Sequence, residues 1–208
     1  MKRFLALATI SLALLLALMF LFRESLKEFA FDRLTKNMFV AGDTDDFDPG
    51  PIVGSRFPGL QAHYQGRTVT LLDDFAGDNG TLLVASRSLD WCPYCRRQMI
   101  QLQEHKGEFD AAGIGMVAIT YDDPVAQRAF SDKFGISIPL LSDVDALSFK
   151  TLGILNETYS PGEKQYGIPH PGMIVIDTKG NVVAKLFLEA YSSRVDSAAA
   201  LAYARQAL

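Results

Sequence analysis

Short apolar runs alternate with amphipathic stretches from about residue 68 onward, and this pattern predicts strands and helices in turn. Residues 81–85 and 115–120 have the length and composition of buried strands. Between these two runs, the apolar side chains recur at helical spacing, at Cys95, Met99, Leu102 and Phe109. Strands that alternate with helices predict a parallel sheet with helices on both faces.

Turn and cap residues predict the remaining helices and strands of this parallel part of the sheet. The pattern predicts an entry strand at 68–72, a helix that follows the cap Asp123 and ends at Gly135, and a shorter helix from Ser142 or Asp143 to Gly153. The C-terminal pattern differs, because residues 173–177 and 182–188 flank a turn at 178–181 and so predict an antiparallel hairpin.

A last helix is expected from about Val195 to Ala207, with Ser193 and Asp196 at the spacing of a capping box. A parallel half, a hairpin and a closing helix together predict an α/β sandwich built around one sheet.

The N-terminus carries a separate signal. Residues 4–22 contain no charged side chain and are about long enough to cross a bilayer core as a helix. A cleavable signal peptide is the competing interpretation, but residues 19–22 offer no cleavage site of small side chains. Lys2 and Arg3 favour the cytoplasmic side for the amino terminus. We therefore expect residues 1–27 to form a single-pass signal anchor with the bulk of the chain on the periplasmic, or extracytoplasmic, side; secretion after cleavage is the alternative.

Residues 28–51 are expected to tether the anchor to a domain at 52–208. The tether becomes acidic and rich in turn residues, and we expect little fixed structure between about Ala41 and Pro51. The net charge of the chain is −4, without a basic patch, so nucleic acid is not an expected partner.

The only two cysteines, Cys92 and Cys95, stand where an apolar run gives way to a helical pattern. Pro93 suits the first turn of a helix, which puts Cys92 at the helix N-terminus. Unpaired N–H groups and the positive end of the helix dipole favour a thiolate there. Cys95 falls on the buried stripe. We therefore expect Cys92 to be the acidic, reactive sulfur and Cys95 to resolve it.

Two structural roles compete with this redox role. A zinc site would need a further ligand pair, but His63, His105 and His170 lie far apart in the sequence. A purely structural disulfide between residues three apart would restrain the unfolded chain little. We predict no bound metal and no cofactor.

The stretch Trp91-Cys92-Pro93-Tyr94-Cys95, at a strand-to-helix junction, resembles the thioredoxin superfamily, and more closely its AhpC/TSA, or redoxin, branch. The resemblance extends from about residue 53 to the C-terminus. It implies a thioredoxin-like fold with a central mixed sheet flanked by helices, and a cis-proline, here Pro171, that faces the cysteine pair. The preceding His170 would then lie near Cys92 and stabilise its thiolate or transfer protons. Trp91, Pro93 and Tyr94 would form the surface on which a partner lies.

Peroxiredoxins of the same branch place their peroxide-attacking cysteine where Cys92 stands. Their signature has a proline seven residues and a threonine or serine three residues before that cysteine, but Ala85 and Leu89 occupy those positions here. A second peroxiredoxin feature, an arginine after the hairpin that contacts the thiolate, is matched by Arg194.

Three functions follow from the resemblance. The leading hypothesis is thiol-disulfide exchange with a protein dithiol or disulfide, in which Cys92 attacks and forms a mixed disulfide. A thiol-dependent peroxidase with antioxidant activity is the alternative; it would use peroxide and a thiol electron donor, with Cys92 peroxidatic and Cys95 resolving. The third is a copper-binding assembly factor that uses Cys92, Cys95 and His170 as soft ligands.

Overall fold

A computed structural model describes residues 19–42 and 45–208 of the chain. It divides into two compact units, Met1–Asn37 and Met38–Leu208. In the first unit the described element is the helix α1 (Arg23–Thr35). Most of the predicted transmembrane segment, residues 4–22, lies outside the described residues. Among the residues that are described, no helix has both the length and the apolar character needed to cross a membrane.

The second unit is a mixed sheet with flanking helices, and its elements follow each other in this order: β1 (Phe39–Val40), β2 (Ala62–Tyr64), β3 (Arg67–Val69), β4 (Gly80–Ser86), α2 (Pro93–Glu104), α3 (Lys106–Ala111), β5 (Ile114–Thr120), α4 (Pro124–Phe134), β6 (Leu140–Ser142), α5 (Leu147–Leu152), β7 (Gly172–Asp177), β8 (Val182–Phe187), β9 (Arg194–Val195) and α6 (Ser197–Ala207). A short 3₁₀ helix covers Asp73–Phe75.

Seven strands form the main sheet in the order β3-β2-β6-β5-β4-β7-β8. The strands β4, β5 and β6 pair in parallel, and the hairpin β7-β8 adds antiparallel to β4. Alternate side chains of the central strand β4 enter different cores, with Leu82 and Val84 on one face and Leu83 and Ala85 on the other. The predicted thioredoxin-like α/β fold with a mixed sheet is therefore confirmed.

Several boundaries differ from the prediction. The helix that begins at Pro93 ends at Glu104, so Phe109 belongs to the separate helix α3. Ser142 ends strand β6 rather than opening a helix; Asp143 nevertheless accepts hydrogen bonds from the backbone amides of Ser148 and Phe149 at the start of α5. Val195 lies in a strand, and Asp196 alone caps α6 with its side chain.

The compact unit begins before the expected domain start at residue 52. Strand β1 pairs in parallel with β9, so that Phe39 lies opposite Arg194. Further along, the Lys185 ammonium group approaches the Asp48 carboxylate at 2.8 Å and also donates to the backbone carbonyls of Asp48 and Pro49. Strand β1 of the predicted tether thus pairs with the strand that carries Arg194. Within the stretch expected to lack fixed structure, Asp48 and Pro49 are held by Lys185.

Candidate redox site

The cysteine pair lies at the end of the central strand, where the chain leaves β4 and enters α2. Cys92 is the N-cap residue of α2, Pro93 occupies its first turn, and the Cys92 sulfur accepts the backbone N–H of Cys95 at 3.4 Å. This arrangement agrees with the helix start predicted from the sequence. Neither cysteine forms a disulfide.

Both sulfurs are shielded from solvent, whereas the residue before them is not. Cys92 is 2% exposed and Cys95 is 0% exposed, but Trp91 is 47% exposed. Tyr94 is partly buried and its ring packs edge-on against that of Tyr191, with centroids 6.0 Å apart. Of these aromatic residues, Tyr94 packs against the core cluster that contains both cysteines.

Arg194 reaches the cysteine pair from the other end of the fold. Its Nη2 donates to the Cys95 sulfur at 3.3 Å and its Nε donates to Gln98 Oε1 at 3.0 Å. Its Nη1 donates to the backbone carbonyls of Tyr191 at 2.8 Å and Ser193 at 2.6 Å. The side chain is 2% exposed, so Arg194 is a buried, oriented residue of strand β9 rather than a solvated arginine at a helix N-terminus.

The charge of Arg194 has no carboxylate partner within the described part of the chain. A buried guanidinium is costly unless an anion pairs with it. Among the hydrogen-bond partners of Arg194 in the described residues, the Cys95 sulfur is the group that can become an anion. The site is therefore built so that the Cys95 thiolate neutralises the Arg194 guanidinium.

The pKa directions of the two sulfurs agree with this geometry. Burial opposes ionisation of Cys95, but a hydrogen bond from Cys92 and the Arg194 charge hold the pKa of Cys95 well below its usual value. The Ser88 backbone amide also favours the thiolate, as does the buried Ser86 hydroxyl, which has no hydrogen-bond partner elsewhere in the described chain. The hydrogen bond to Cys95, together with burial, raises the pKa of Cys92.

The contact with Arg194 thus favours the anion at Cys95, whereas the sequence predicts the acidic sulfur at Cys92. The helix N-terminus favours an anion at Cys92 by a partial charge. Arg194 instead presents a full charge to Cys95 in direct contact, and the Cys92 thiol donates to the same sulfur. Direct contact with a full charge in a buried site outweighs the helix dipole.

A buried carboxylate anchors the loop that leads to the cysteines. Asp122 accepts the Ser88 hydroxyl at 2.5 Å, the Leu89 backbone N–H at 2.6 Å and the Thr120 hydroxyl at 3.0 Å. The Ser88 hydroxyl oxygen in turn accepts the backbone amides of Asp90 and Trp91. Asp122 thereby orders residues 88–91, either directly or through the Ser88 hydroxyl. Burial raises the pKa of Asp122, and these three hydrogen bonds oppose that rise.

Sequence reasoning missed Asp122 and also Gln98. Asp122 comes two residues after the end of strand β5, at the carboxyl edge of parallel strands, where polar side chains of functional sites collect. Gln98 lies three residues after Cys95 and therefore on the same helix face. These two positions were available as signals in the sequence.

We expect Asp122→Asn to weaken the site without removing any sulfur. An amide accepts through one oxygen, so its NH₂ group would face either the Leu89 amide or the Ser88 hydroxyl. The loss of an acceptor for a buried donor costs about 1–3 kcal/mol in the free energy of unfolding. The Ser88 amide would also shift away from Cys95, so the pKa of Cys95 should rise. Thiolate absorbance at 240 nm, followed against pH, measures that pKa.

Ser142→Ala provides the matched control for Asp122→Asn. It removes a buried hydrogen bond of 2.7 Å to the backbone carbonyl of Asp122 but leaves the carboxylate untouched. This control should reduce stability while the Cys95 titration stays in place. Equal thiolate titrations in wild type and Asp122→Asn would show that the carboxylate does not act on the sulfur.

His170 and Pro171 differ from their expected roles. The described chain contains no cis peptide bond, so the predicted cis-proline at Pro171 is wrong; trans is the favoured state of such bonds in general. The His170 ring packs edge-on against Phe47, with centroids 4.9 Å apart, and no hydrogen bond or ion pair in the described chain joins it to either sulfur. Burial lowers the pKa of His170, as does the charge of Arg87, while Glu157 opposes the shift. A lowered pKa disfavours the expected imidazolium.

The copper hypothesis finds no support in the geometry. Over residues 19–42 and 45–208, no three side chains among His, Cys, Asp and Glu are grouped so that they could hold a metal ion. His170 instead lines a cavity of about 520 Å³ with Lys150, Glu157 and other residues, and neither cysteine lines it.

A thioredoxin-like fold with a buried cysteine pair at the start of the helix that follows its central strand is typical of the redoxins. The AhpC/TSA family model matches residues 53–185, which is more than half of the chain. The chain belongs to the AhpC/TSA family.

Individual relatives are distant. A Mycobacterium tuberculosis protein named as a peroxiredoxin is 31% identical over 91 residues, 44% of this chain and 57% of the relative. The thiol-disulfide oxidoreductase ResA of Halalkalibacterium halodurans is 28% identical over 95 residues, 45% of this chain and 46% of the relative. The chain thus spans about half the length of these curated relatives. Among solved structures, reduced Prx3 of Vibrio vulnificus in complex with hydrogen peroxide has a TM-score of 0.63 and 20% identity, covering 74% of this chain and 99% of that chain.

Proposed function

We propose that the protein is an oxidoreductase that reduces a peroxide at the expense of a thiol donor, with Cys95 as the attacking thiolate and Cys92 as the resolving thiol. The observation that carries this proposal is the contact of 3.3 Å between the buried Arg194 guanidinium and the Cys95 sulfur. An oriented cation at the sulfur stabilises the thiolate and the negative charge that passes to the leaving oxygen.

The reaction balances in three steps. The Cys95 thiolate attacks one oxygen of the peroxide; the O–O bond breaks, the other oxygen leaves as an alkoxide or hydroxide that takes a proton, and Cys95 becomes a sulfenic acid. The Cys92 thiol then attacks the Cys95 sulfur, so water leaves and the disulfide forms. A donor dithiol finally reduces this disulfide by exchange and becomes a disulfide itself.

Burial of the sulfurs favours peroxide over a bulky first substrate. Cys95 is fully buried and Cys92 nearly so. Hydrogen peroxide is about as small as two water molecules and needs little opening to reach the sulfur. A disulfide on a protein must approach a sulfur in line, which requires more of the cover to move. The peroxiredoxin-type relative and the structural similarity to a peroxide complex support the same choice.

Thiol-disulfide exchange without peroxide is the second candidate. It is supported by the solvent-exposed Trp91 next to Cys92, which offers a surface to a protein partner, and by the similarity to a thiol-disulfide oxidoreductase. In that case a partner disulfide oxidises the pair, and the direction of electron flow depends on the partner.

We also propose that residues 4–22 anchor the protein in the membrane with the redoxin unit outside the cytoplasm. Their uncharged sequence and the flanking Lys2 and Arg3 support this proposal. A thiol peroxidase in such a position would meet peroxide that arrives from outside the cell.

One rapid-mixing experiment on the reduced full-length protein distinguishes the two candidate functions. Trp91 is the only tryptophan and abuts Cys92, so its fluorescence should report oxidation of the pair. We expect hydrogen peroxide to oxidise the pair faster than a model protein disulfide does at equal concentration. Oxidation by peroxide no faster than that of a free thiol, together with fast exchange, would replace peroxidase with disulfide exchange.

A further inference from the structure

A cation lies between two aromatic rings beside the cysteine pair. The guanidinium carbon of Arg87 is 5.4 Å from the ring centroid of Trp91 and 5.3 Å from that of Tyr191. Both rings belong to side chains that are exposed to solvent. We call this group of three residues the Arg87 clamp.

Within residues 19–42 and 45–208, the buried Arg87 side chain forms no hydrogen bond. The side chain is 7% exposed, and its Nε is buried without a hydrogen bond. In the parts of the chain that are described, Arg87 also forms no ion pair with a carboxylate. Cation–π contacts compensate only part of the cost of desolvating a guanidinium. An anion from outside the chain would supply the missing partner.

The Arg87 clamp adjoins the sulfur that a reducing partner must attack. Trp91 immediately precedes Cys92, and the Tyr191 ring contacts that of Tyr94, between the two cysteines. The Tyr191 carbonyl also accepts a hydrogen bond from Arg194, which holds Cys95. A group bound at Arg87 is therefore connected to both cysteines through direct neighbours.

We infer that Arg87 binds a carboxylate of the dithiol protein that reduces the Cys92–Cys95 disulfide, with the partner's chain lying on the Trp91 and Tyr191 rings. This inference rests on the proposed function, because it concerns the reductive step of the cycle. An acidic side chain next to the attacking cysteine of the partner matches the charge, and a guanidinium binds a carboxylate through two parallel hydrogen bonds. The occupant is thus an acidic segment that carries a Cys pair.

The reductive chemistry selects Cys92 as the sulfur attacked. The partner thiolate forms a bond to the Cys92 sulfur, the Cys92–Cys95 bond breaks, and Cys95 leaves as a thiolate paired with Arg194. A less basic thiolate is the better leaving group, so attack at Cys92 is favoured over attack at Cys95. The second partner thiol then displaces Cys92, which takes up a proton, and two electrons have passed to the protein.

The test uses the full-length protein, oxidised with diamide so that it does not depend on peroxide chemistry. Three dithiol peptides without tryptophan differ only at the position beside the first cysteine, which is Glu, Gln or Lys. The rate of disulfide reduction is followed by Trp91 fluorescence. We expect the Glu peptide to react about tenfold faster than the Gln peptide, as one charge-assisted contact implies, and the Lys peptide to react more slowly than both.

Variants test whether the faster reaction with the Glu peptide depends on Arg87. Arg87→Gln should bring the Glu-to-Gln rate ratio close to one, and Arg87→Lys should retain part of it through the charge alone. Arg128→Gln removes the same charge from an exposed position on α4 and should keep the ratio of the wild type. A ratio near one in the wild type, or an unchanged ratio in Arg87→Gln, would overturn the inference while exchange at the pair still stands. Reduction by none of the three peptides would count against the proposed function itself.

Discussion

Cys95→Ser is expected to abolish the reduction of hydrogen peroxide, whereas Cys92→Ser should retain one rapid oxidation and then stop. Cys95 is the sulfur that contacts Arg194, so its loss removes the stabilised thiolate. In Cys92→Ser the Cys95 sulfenic acid would form but find no thiol to condense with. Peroxide consumption under turnover, together with mass spectrometry after dimedone trapping, distinguishes the two variants.

The assignment of roles can fail in a recognisable way. A sulfenic acid that accumulates on Cys92 in Cys95→Ser, with no fast oxidation of Cys92→Ser, would restore Cys92 as the attacking sulfur. The exposed Trp91 reports both reactions, because neither substitution alters the tryptophan. A double variant that lacks both cysteines serves as the control. It gives the background rate of peroxide loss through methionine oxidation and spontaneous decomposition.

Local patterns sufficed for most of the fold. The helix α4 is predicted by local signals alone, namely the cap Asp123, the following Pro124 and the terminating Gly135, and the structure has the helix at that place. The hairpin β7-β8 is likewise encoded by two apolar runs and their turn. Strand β2 is different: its residues His63 and Tyr64 point partly to solvent, and its place in the sheet depends on pairing with β3 and β6. Such a strand has a weak local signal and is fixed by tertiary contacts.

The cysteine pair could be recognised from the sequence, but the sequence did not indicate which of the two sulfurs carries the negative charge more easily. Helix position alone favours the thiolate at Cys92. The opposite preference comes from Arg194, which is 99 residues away from Cys95 along the chain and arrives through the pairing of β1 with β9. The same applies to Asp122, whose hydrogen bonds to Ser88 and Leu89 join two strands. The contact between Arg194 and Cys95 and the hydrogen bonds of Asp122 both depend on tertiary structure. Residue spacing in the sequence therefore does not predict them.

Arg194→Met should slow the oxidation of Cys95 by peroxide about a hundredfold at neutral pH, the usual scale for removing an oriented charge from a reacting centre. Methionine keeps much of the buried volume, so the change removes charge rather than packing. The pKa of Cys95 should rise, since the charge that lowers it is gone. Oxidation requires the thiolate, which exists above the pKa, so the rate against pH should shift toward higher pH. Stopped-flow oxidation across a pH series measures both effects.

Two further variants separate charge from orientation at Arg194. Arg194→Lys keeps the charge but cannot donate to Gln98, the Tyr191 carbonyl and Cys95 from one rigid plane, so it should recover only part of the rate. Gln98→Leu keeps the guanidinium and removes the acceptor of its Nε, so any loss of rate must come through the position of Arg194. A rate that remains as fast in Arg194→Met as in the wild type, with an unmoved pH profile, would mean that the guanidinium only fills the core. A slower reaction with a shifted pH profile is the expected result, because the guanidinium donates directly to the Cys95 sulfur and stabilises negative charge there.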